Sequence, residues 1–259
     1  MRICKSCGLG RIDRIRCVCG DEQFDEINSR MNDYGQPVGV ALAEDTLTFK
    51  KPEKVVLTGK YCRLEPVNAE AHAESLFHSF SQNQSPQQWT YLPSAVPTVY
   101  SEFNDYVLGM ENSNDYDCFT IINANNEAVG TFALMRLDII NGVVEVGMVT
   151  FSEKMRQTVV STEAHYLLAR YVFETLGFRR YEWKADALNE PSKKAAKRLG
   201  FSYEGLFQQI TTTHGRNRDT TWYAMTDIAW RNQVENYVKW LSPENFDNEG
   251  KQLSKLKFN

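Results

Sequence analysis

The stretch that most limits what this chain can fold into is residues 143–176, VVEVGMVTFSEKMRQTVVSTEAHYLLARYVFETL. Its first third is apolar and β-branched, with Val143, Val144, Val146 and Val149, and predicts a buried strand over 143–151. Its last third places Ala164, Leu167, Leu168, Tyr171 and Val172 at the i, i+3, i+4, i+7, i+8 spacing of one core-facing helical stripe. A polar loop joins them, and Ser161 or Thr162 stands where a helix cap is expected. A strand that runs through a loop into a helix N-terminus presents free backbone N–H groups and the positive end of a dipole. That arrangement suits a phosphate or pyrophosphate.

Composition narrows the remaining possibilities. With 259 residues, 42% hydrophobic, the chain can bury one sizeable core and carry appendages. A net charge of −4 gives no argument for nucleic acid or an anionic membrane as partner. No apolar run approaches the roughly 18 residues a membrane helix needs. The opening MRICKSCGLGRID lacks the apolar centre of a secretory signal, so the cytoplasm is the expected compartment. There, the six cysteines are thiols or metal ligands. Cys4, Cys7, Cys17 and Cys19, in two pairs each followed by glycine, could place four thiolates around one structural zinc ion. The competing reading is that Met31, which opens a stretch of different texture, is an alternative start.

The organisation expected is a Cys-rich segment over 1–30, an extended arm over 31–54, one catalytic-sized domain over 55–229, and a helix with a polar tail over 230–259. Within the domain, 55–66 reads as a strand broken at Gly59, and Asn68 caps a helix burying Ala71, Leu76, Phe77 and Phe80. Trp89 and Tyr91 centre a polar loop, and Thr98 caps a second helix with Val99, Phe103, Tyr106, Val107 and Met110 inward. Strands follow over 117–123 and 128–137. Asn141-Gly142 is the strongest hairpin signal, suited to a type I′ turn. Gly177 ends the long helix, and 181–186 alternates as a strand with one wet face. Asn189-Glu-Pro-Ser opens another helix that Gly200 closes. A strand over 201–207, a turn at 214–217 and a strand with Trp222, Tyr223 and Met225 come next. A helix over 228–241 then buries Trp230, Val234, Tyr237, Val238 and Leu241, and the polar tail from Ser242 is expected to be poorly ordered.

This order of elements resembles the GNAT N-acetyltransferases, and within them the RimJ/RimL ribosomal-protein branch. The segments that carry the resemblance are GKYCRLEPV, EVGMVTF with RQTVVSTEAHYLL, FETLGFRRYEWKADALNEPSKKAAKRLGFSYEG and GRNRDTTWYAM, spanning about residues 57–230. The family implies an α/β (α+β) GNAT fold, a mixed, mostly antiparallel sheet of about seven strands flanked by helices. It implies acetyl-CoA as co-substrate and an amine acceptor, either a protein N-terminus or a small molecule, in a monomer or homodimer. Cofactor contacts would come from Met148, Val149, Arg156, Gln157, Thr158, Val159, Val160, Ser161, Thr162, Asn189 and Ser192. The family's phosphate loop has glycine where Val159 stands; helix entry uses negative φ, which valine adopts.

Direct acetyl transfer needs a neutral amine and a proton donor for the leaving thiolate. Deprotonating a lysine (pKa ~10.4) at pH 7 costs roughly 4.6 kcal/mol, against about 1 for an α-amine near ~7.8. Glu145, the one carboxylate in the apolar run, is the candidate base through water; facing solvent or pairing with Arg136 is the alternative. Ser192 matches the serine that RimL-type enzymes use toward the departing sulfur, and a first-turn helical serine bonding backbone is the alternative. Lys193, Lys194, Lys197 and Arg198 could meet the cofactor's 3′-phosphate, and Arg216 and Arg218 an acidic substrate. The four histidines show no ligand spacing. A non-enzymatic reading also stands: a catalytically weak acyl-CoA-binding or regulatory module with a zinc-binding docking segment.

Overall fold

The computed structural model describes residues 2–4, 10–11, 24–26, 29–42, 48–81, 86–92, 94 and 98–258. It divides into two compact units, residues 1–47 and 48–259. In the first, Arg2–Cys4 pairs with Gly10–Arg11 on one side and Phe24–Glu26 on the other. Ser29–Met31 pairs with Pro37–Gly39 about a turn in which Asn32 Oδ1 accepts from the Tyr34 and Gln36 amides. Cys4 lies in a strand, whereas Cys7, Cys17 and Cys19 lie outside the described residues. Among the described residues no group of three or more His, Cys, Asp or Glu could hold a metal, and the expected zinc set falls mostly outside them.

In the second unit the strands are β1 (Leu57–Thr58), β2 (Cys62–Pro66), β3 (Tyr116–Asn123), β4 (Ala128–Asp138), β5 (Val143–Phe151), β6 (Arg180–Asp186), β7 (Ser202–Thr213) and β8 (Arg216–Thr226). They form one sheet in the order β7-β8-β6-β5-β4-β3-β2-β1. Every neighbouring pair is antiparallel except β5 and β6. The eighth strand arises from the Gly59 break, which folds the 55–66 run back on itself so that Leu57 faces Leu64. The helices are α1 (Ala69–Ser81), α2 (Tyr100–Glu111), α3 (Val159–Arg170), α4 (Glu190–Arg198) and α5 (Asp227–Trp240). A π-helical turn, Tyr171–Thr175, extends α3. Among the described residues no helix is long and apolar enough to cross a membrane.

Two apolar layers sandwich the sheet, as strand alternation dictates. Phe119 and Ile121 of β3 point into the larger core, with Leu167, Leu168 and Val172 of α3 and Tyr181 and Trp183 of β6. Cys118 and Ile122 point the other way, into a smaller core with Leu76, Phe80, Phe103 and Val107 of α1 and α2. The predicted α3 stripe is buried at all five positions. On α1 it is Ala73, not Ala71, that is buried, and Val99 and Val238 are exposed.

Several local expectations are corrected. Neither Ser161 nor Thr162 caps α3. The cap is Thr158, three residues before Ser161, so both fall inside the first turns of the helix. Thr98 does not cap α2. Val99 holds that position, and Glu102 instead accepts from the Thr98 amide. Asn141-Gly142 forms no two-residue type I′ turn, because only Gly142 has positive φ; the Asp138 carboxylate holds the Asn141 amide in a four-residue loop. That turn geometry occurs at His214-Gly215, both with positive φ, where Thr213 faces Arg216. Its tight reversal draws residues 208–213 into β7, beyond the predicted end at 207. The tail is not loose: Leu256 is buried, and the Phe258 ring lies 5.2 Å from Tyr237.

Candidate active site

The site begins where the parallel pair comes apart. β5 and β6 are in register from Val143↔Arg180 to Val146↔Trp183, and beyond that each strand keeps only its other neighbour. The cause is a bulge. Gly147 faces Ala133 and Thr150 faces Thr131, so Met148 and Val149 together oppose one residue of β4. Met148 takes φ +51, and its carbonyl accepts from Thr150 Oγ1 at 3.2 Å. Met148 consequently packs against the smaller core and Val149 against the larger. Along 147–149 the backbone edge facing β6 has no strand partner, an opening suited to a ligand that brings its own amides.

The loop leading to α3 borders this opening. Gln157 supplies the left-handed residue, φ +58, and Val159 is the first helical residue, packed on the larger core. The position where the family has glycine therefore does not need positive φ here. The side chains of the loop turn away from the helix end. Thr158 Oγ1 donates to the Met155 carbonyl, Ser161 Oγ to the Thr158 carbonyl, and Thr162 Oγ1 accepts from Arg198. Arg156 pairs with Glu153 at 2.7 Å. The cap residue's side chain makes no bond to the first-turn amides of Val159, Val160 and Ser161. Such a helix start favours an anion.

Sequence inspection does not reveal what anchors this helix. Glu163 is buried in the second turn of α3, and its carboxylate accepts from the amides of Lys60, Tyr61 and Cys62 at 2.8, 2.6 and 2.8 Å. A side chain on Gly59 would stand 2.5 Å from that carboxyl carbon, which explains the glycine. The same carboxylate, after burial itself, pushes the Cys62 thiol pKa up, so this cysteine is an inert thiol.

Opposite, β6 delivers the chain to α4. Asn189 Oδ1 caps α4 by accepting from the Ser192 amide at 3.2 Å, which leaves its side-chain NH₂ for a ligand. Ser192 Oγ accepts from Trp183 Nε1 at 2.9 Å, so the hydroxyl keeps its own proton to donate. Trp183 is the last β6 residue in register with β5.

Glu145 lies on the other face of the sheet, 3% exposed. A second bulge explains its partner. Arg136, at φ +50, shares with Leu137 the place opposite Val144, which swings Arg136 Nη1 to 2.7 Å from Glu145 Oε1. Lys184 Nζ stands 2.7 Å from Oε2 as an ion pair without hydrogen-bond alignment. Lys184 also pairs with Glu182 and sits 4.4 Å from the Trp222 ring. Burial opposes charge on Glu182, but Lys184 and Arg180 hold its pKa below the usual range. The face expected to be wet is thus a nearly buried ladder of alternating charges. An atom added at Gly147 would come within 3.7 Å of Glu145 Oε1, so the carboxylate leans toward the opening.

The basic cluster on α4 is divided. Lys193 donates to the Ala187 carbonyl and pairs with Glu190, Arg198 reaches Thr162, and Lys194 and Lys197 are exposed. The aromatic loop is tied down on two sides. Tyr91 donates to the Leu188 carbonyl at 3.1 Å, and Arg216 to the Thr90 carbonyl at 3.1 Å. Trp89 is core, with Phe80 and Tyr106 around it.

These residues fit a pantetheine-linked pyrophosphate. There is a strand edge without a described strand partner, an uncapped helix start beside it, and at the same place a buried ring nitrogen, His165 Nδ1, that no described residue satisfies. The model of the acetyltransferase (GNAT) domain family matches residues 62–202, more than half of the chain. The chain belongs to the GNAT acetyltransferase family. A GCN5-related N-acetyltransferase from Brucella melitensis is 40% identical, with TM-score 0.79 over 81% of this chain and 95% of that one. A probable acetyltransferase of the GNAT family from Chromobacterium violaceum is 29% identical, with TM-score 0.69 over 75% and 97%. An acetyltransferase from Salmonella typhimurium that modifies the N-terminal serine of a 50S ribosomal subunit protein shares the fold at 19% identity, with TM-score 0.57 over 66% and 99%. No curated protein matches the sequence. GNAT enzymes are acyltransferases that use acetyl-CoA.

Proposed function

We propose that the protein transfers the acetyl group of acetyl-CoA to a primary amine by direct attack in a ternary complex. The observation that carries this reading is the splayed β5–β6 edge at Gly147, Met148 and Val149, next to the uncapped start of α3. The amides of Val159, Val160 and Ser161 would hold the pyrophosphate, and the edge at 148–149, with the Asn189 side chain, the pantetheine arm. The bound co-substrate supplies the activated acetyl carbonyl. Ser192 directs its hydroxyl proton toward the departing sulfur, while Trp183 fixes the oxygen. Glu145 takes the proton lost by the amine, through a water, since its carboxylate is nearly closed to solvent.

Both Glu145 oxygens already face cations, so accepting a proton disturbs an ion pair. That favours an acceptor needing little help, and an α-amine costs about 1 kcal/mol to neutralise where lysine costs roughly 4.6. A protein N-terminus or a small α-amine fits better than a lysine side chain, in keeping with the sequence likeness to the RimJ/RimL branch. The test is release of free CoA thiol from acetyl-CoA over a panel of N-terminal peptides, small amines and Nε-lysine peptides. Release with α-amines is expected. Acetyl-CoA binding with no release on any amine would favour the non-catalytic module.

A further inference from the structure

His165, in the second turn of α3, occupies the wedge where β5 and β6 part. Its ring centroid lies 5.5 Å from Phe132 of β4, 5.5 Å from Phe151 at the end of β5, and 5.1 Å from Trp183, the last β6 residue paired to β5. It therefore touches both strands on either side of the opening, one ring away from Ser192. The box is otherwise aromatic, so Phe is the nearest apolar substitute. What the imidazole adds is a buried Nδ1 that no described residue satisfies. Leaving such an atom unpaired is unfavourable, because its desolvation goes uncompensated. Burial first, and then the charge of Arg198, lowers its pKa from 6.5 to about 3, so the ring is neutral and presents one donor and one acceptor. An amide matches either tautomer, since it offers both an N–H and a C=O.

We infer that His165 is a positioning residue for the pantetheine arm, its buried ring nitrogen pairing with an amide of that arm where β5 and β6 diverge. The inference rests on the acetyl-CoA reading above. It places the arm on the α3 side of the sheet, away from Glu145, and leaves the opposite face to the amine.

Calorimetric titration of wild type and His165→Phe with CoA and with adenosine 3′,5′-bisphosphate tests it. The second ligand keeps the 3′-phosphate and adenosine but lacks the pantetheine arm. The expected result is about a tenfold weaker CoA affinity in the variant, about 1.4 kcal/mol, with bisphosphate affinity unchanged. Equal affinities of the two proteins for CoA would overturn the inference, as would an equal loss for both ligands, which would assign His165 to packing alone. Wild type that binds no CoA would instead refute the underlying reading. If the variant does not fold, ¹⁵N spectra of histidine-labelled wild type decide. The His165 ring nitrogens should shift with CoA but not with the bisphosphate, and a shift with neither overturns the assignment.

Discussion

Replacing Glu163 tests whether the cofactor side of the cleft is held in place by one buried carboxylate. Three backbone amides converge on it at 2.6–2.8 Å, from the turn that joins β1 to β2. Hydrogen bonds to a charged group contribute about 1.5–3 kcal/mol each. The Lys60 and Tyr61 bonds are only part-buried, so the low end applies to them. Glu163→Ala should then cost about 5 kcal/mol. Glu163→Gln, which keeps one acceptor but turns an NH₂ toward a donor, should cost about 2–3. For a unit of this size each kcal/mol lowers Tm by roughly 2–4 °C, so the alanine variant should melt about 10–20 °C lower. Urea unfolding followed by tryptophan fluorescence measures this directly, since Trp183, Trp230 and Trp240 are all buried. Glu153→Ala, which breaks an exposed pair with Arg156, should cost under about 1 kcal/mol and serves as control. A Glu163→Ala loss no larger than the control's would refute the view that this carboxylate anchors α3.

Other perturbations address the chemistry. Ser192→Ala should lower kcat about tenfold or more with little change in the KM for acetyl-CoA, because the hydroxyl acts on a charge that develops only at the sulfur. An unchanged kcat removes Ser192 from the mechanism. Glu145→Gln should lower kcat by roughly 10²-fold and leave acetyl-CoA binding intact. If steady-state rates match wild type, the proton leaves by another route. Stability should also fall with pH in a particular window. The His165 pKa is lowered from 6.5 to about 3, so between those values the unfolded chain binds the extra proton. Stability from this group is complete above pH 6.5 and declines below it by up to about 1.4 kcal/mol per pH unit. His165→Phe should flatten that decline between pH 6.5 and 4.5, above the range where the paired carboxylates Glu65 and Glu182, both held low, begin to protonate. Identical pH slopes for the two proteins would show that the histidine is not buried neutral.

Most of the architecture is legible in the chain because it rests on periodicity. The strand over 143–151 and the five-residue α3 stripe stand where alternation and helical spacing put them. What escapes the sequence depends on register and on partners distant along the chain. The parting of β5 from β6 comes from a bulge at Met148, a residue with no turn signature. Gln157 and Arg136 also take positive φ without glycine or asparagine to announce it. The Glu145–Lys184 pair links strands whose closeness only the parallel register creates, so 181–186 reads as half-wet when it is nearly buried. Glu163 gives no local sign at all, as its donors lie about a hundred residues away. Gly59 is the one hint, and it becomes informative only once the carboxylate is seen against it.

The most direct test of the central claim is calorimetric titration of acetyl-CoA into wild type and into Val149→Pro. Proline removes the Val149 amide at the bulge, outside the ladder with β4, and also disfavours the left-handed backbone of Met148 before it, so the Tm of the variant is measured alongside. Saturable one-to-one binding by wild type, weakened at least about tenfold in a variant that remains folded, is the predicted result. Absence of binding by wild type, or identical affinities in two folded proteins, would contradict the assignment of acetyl-CoA to the parting of β5 and β6.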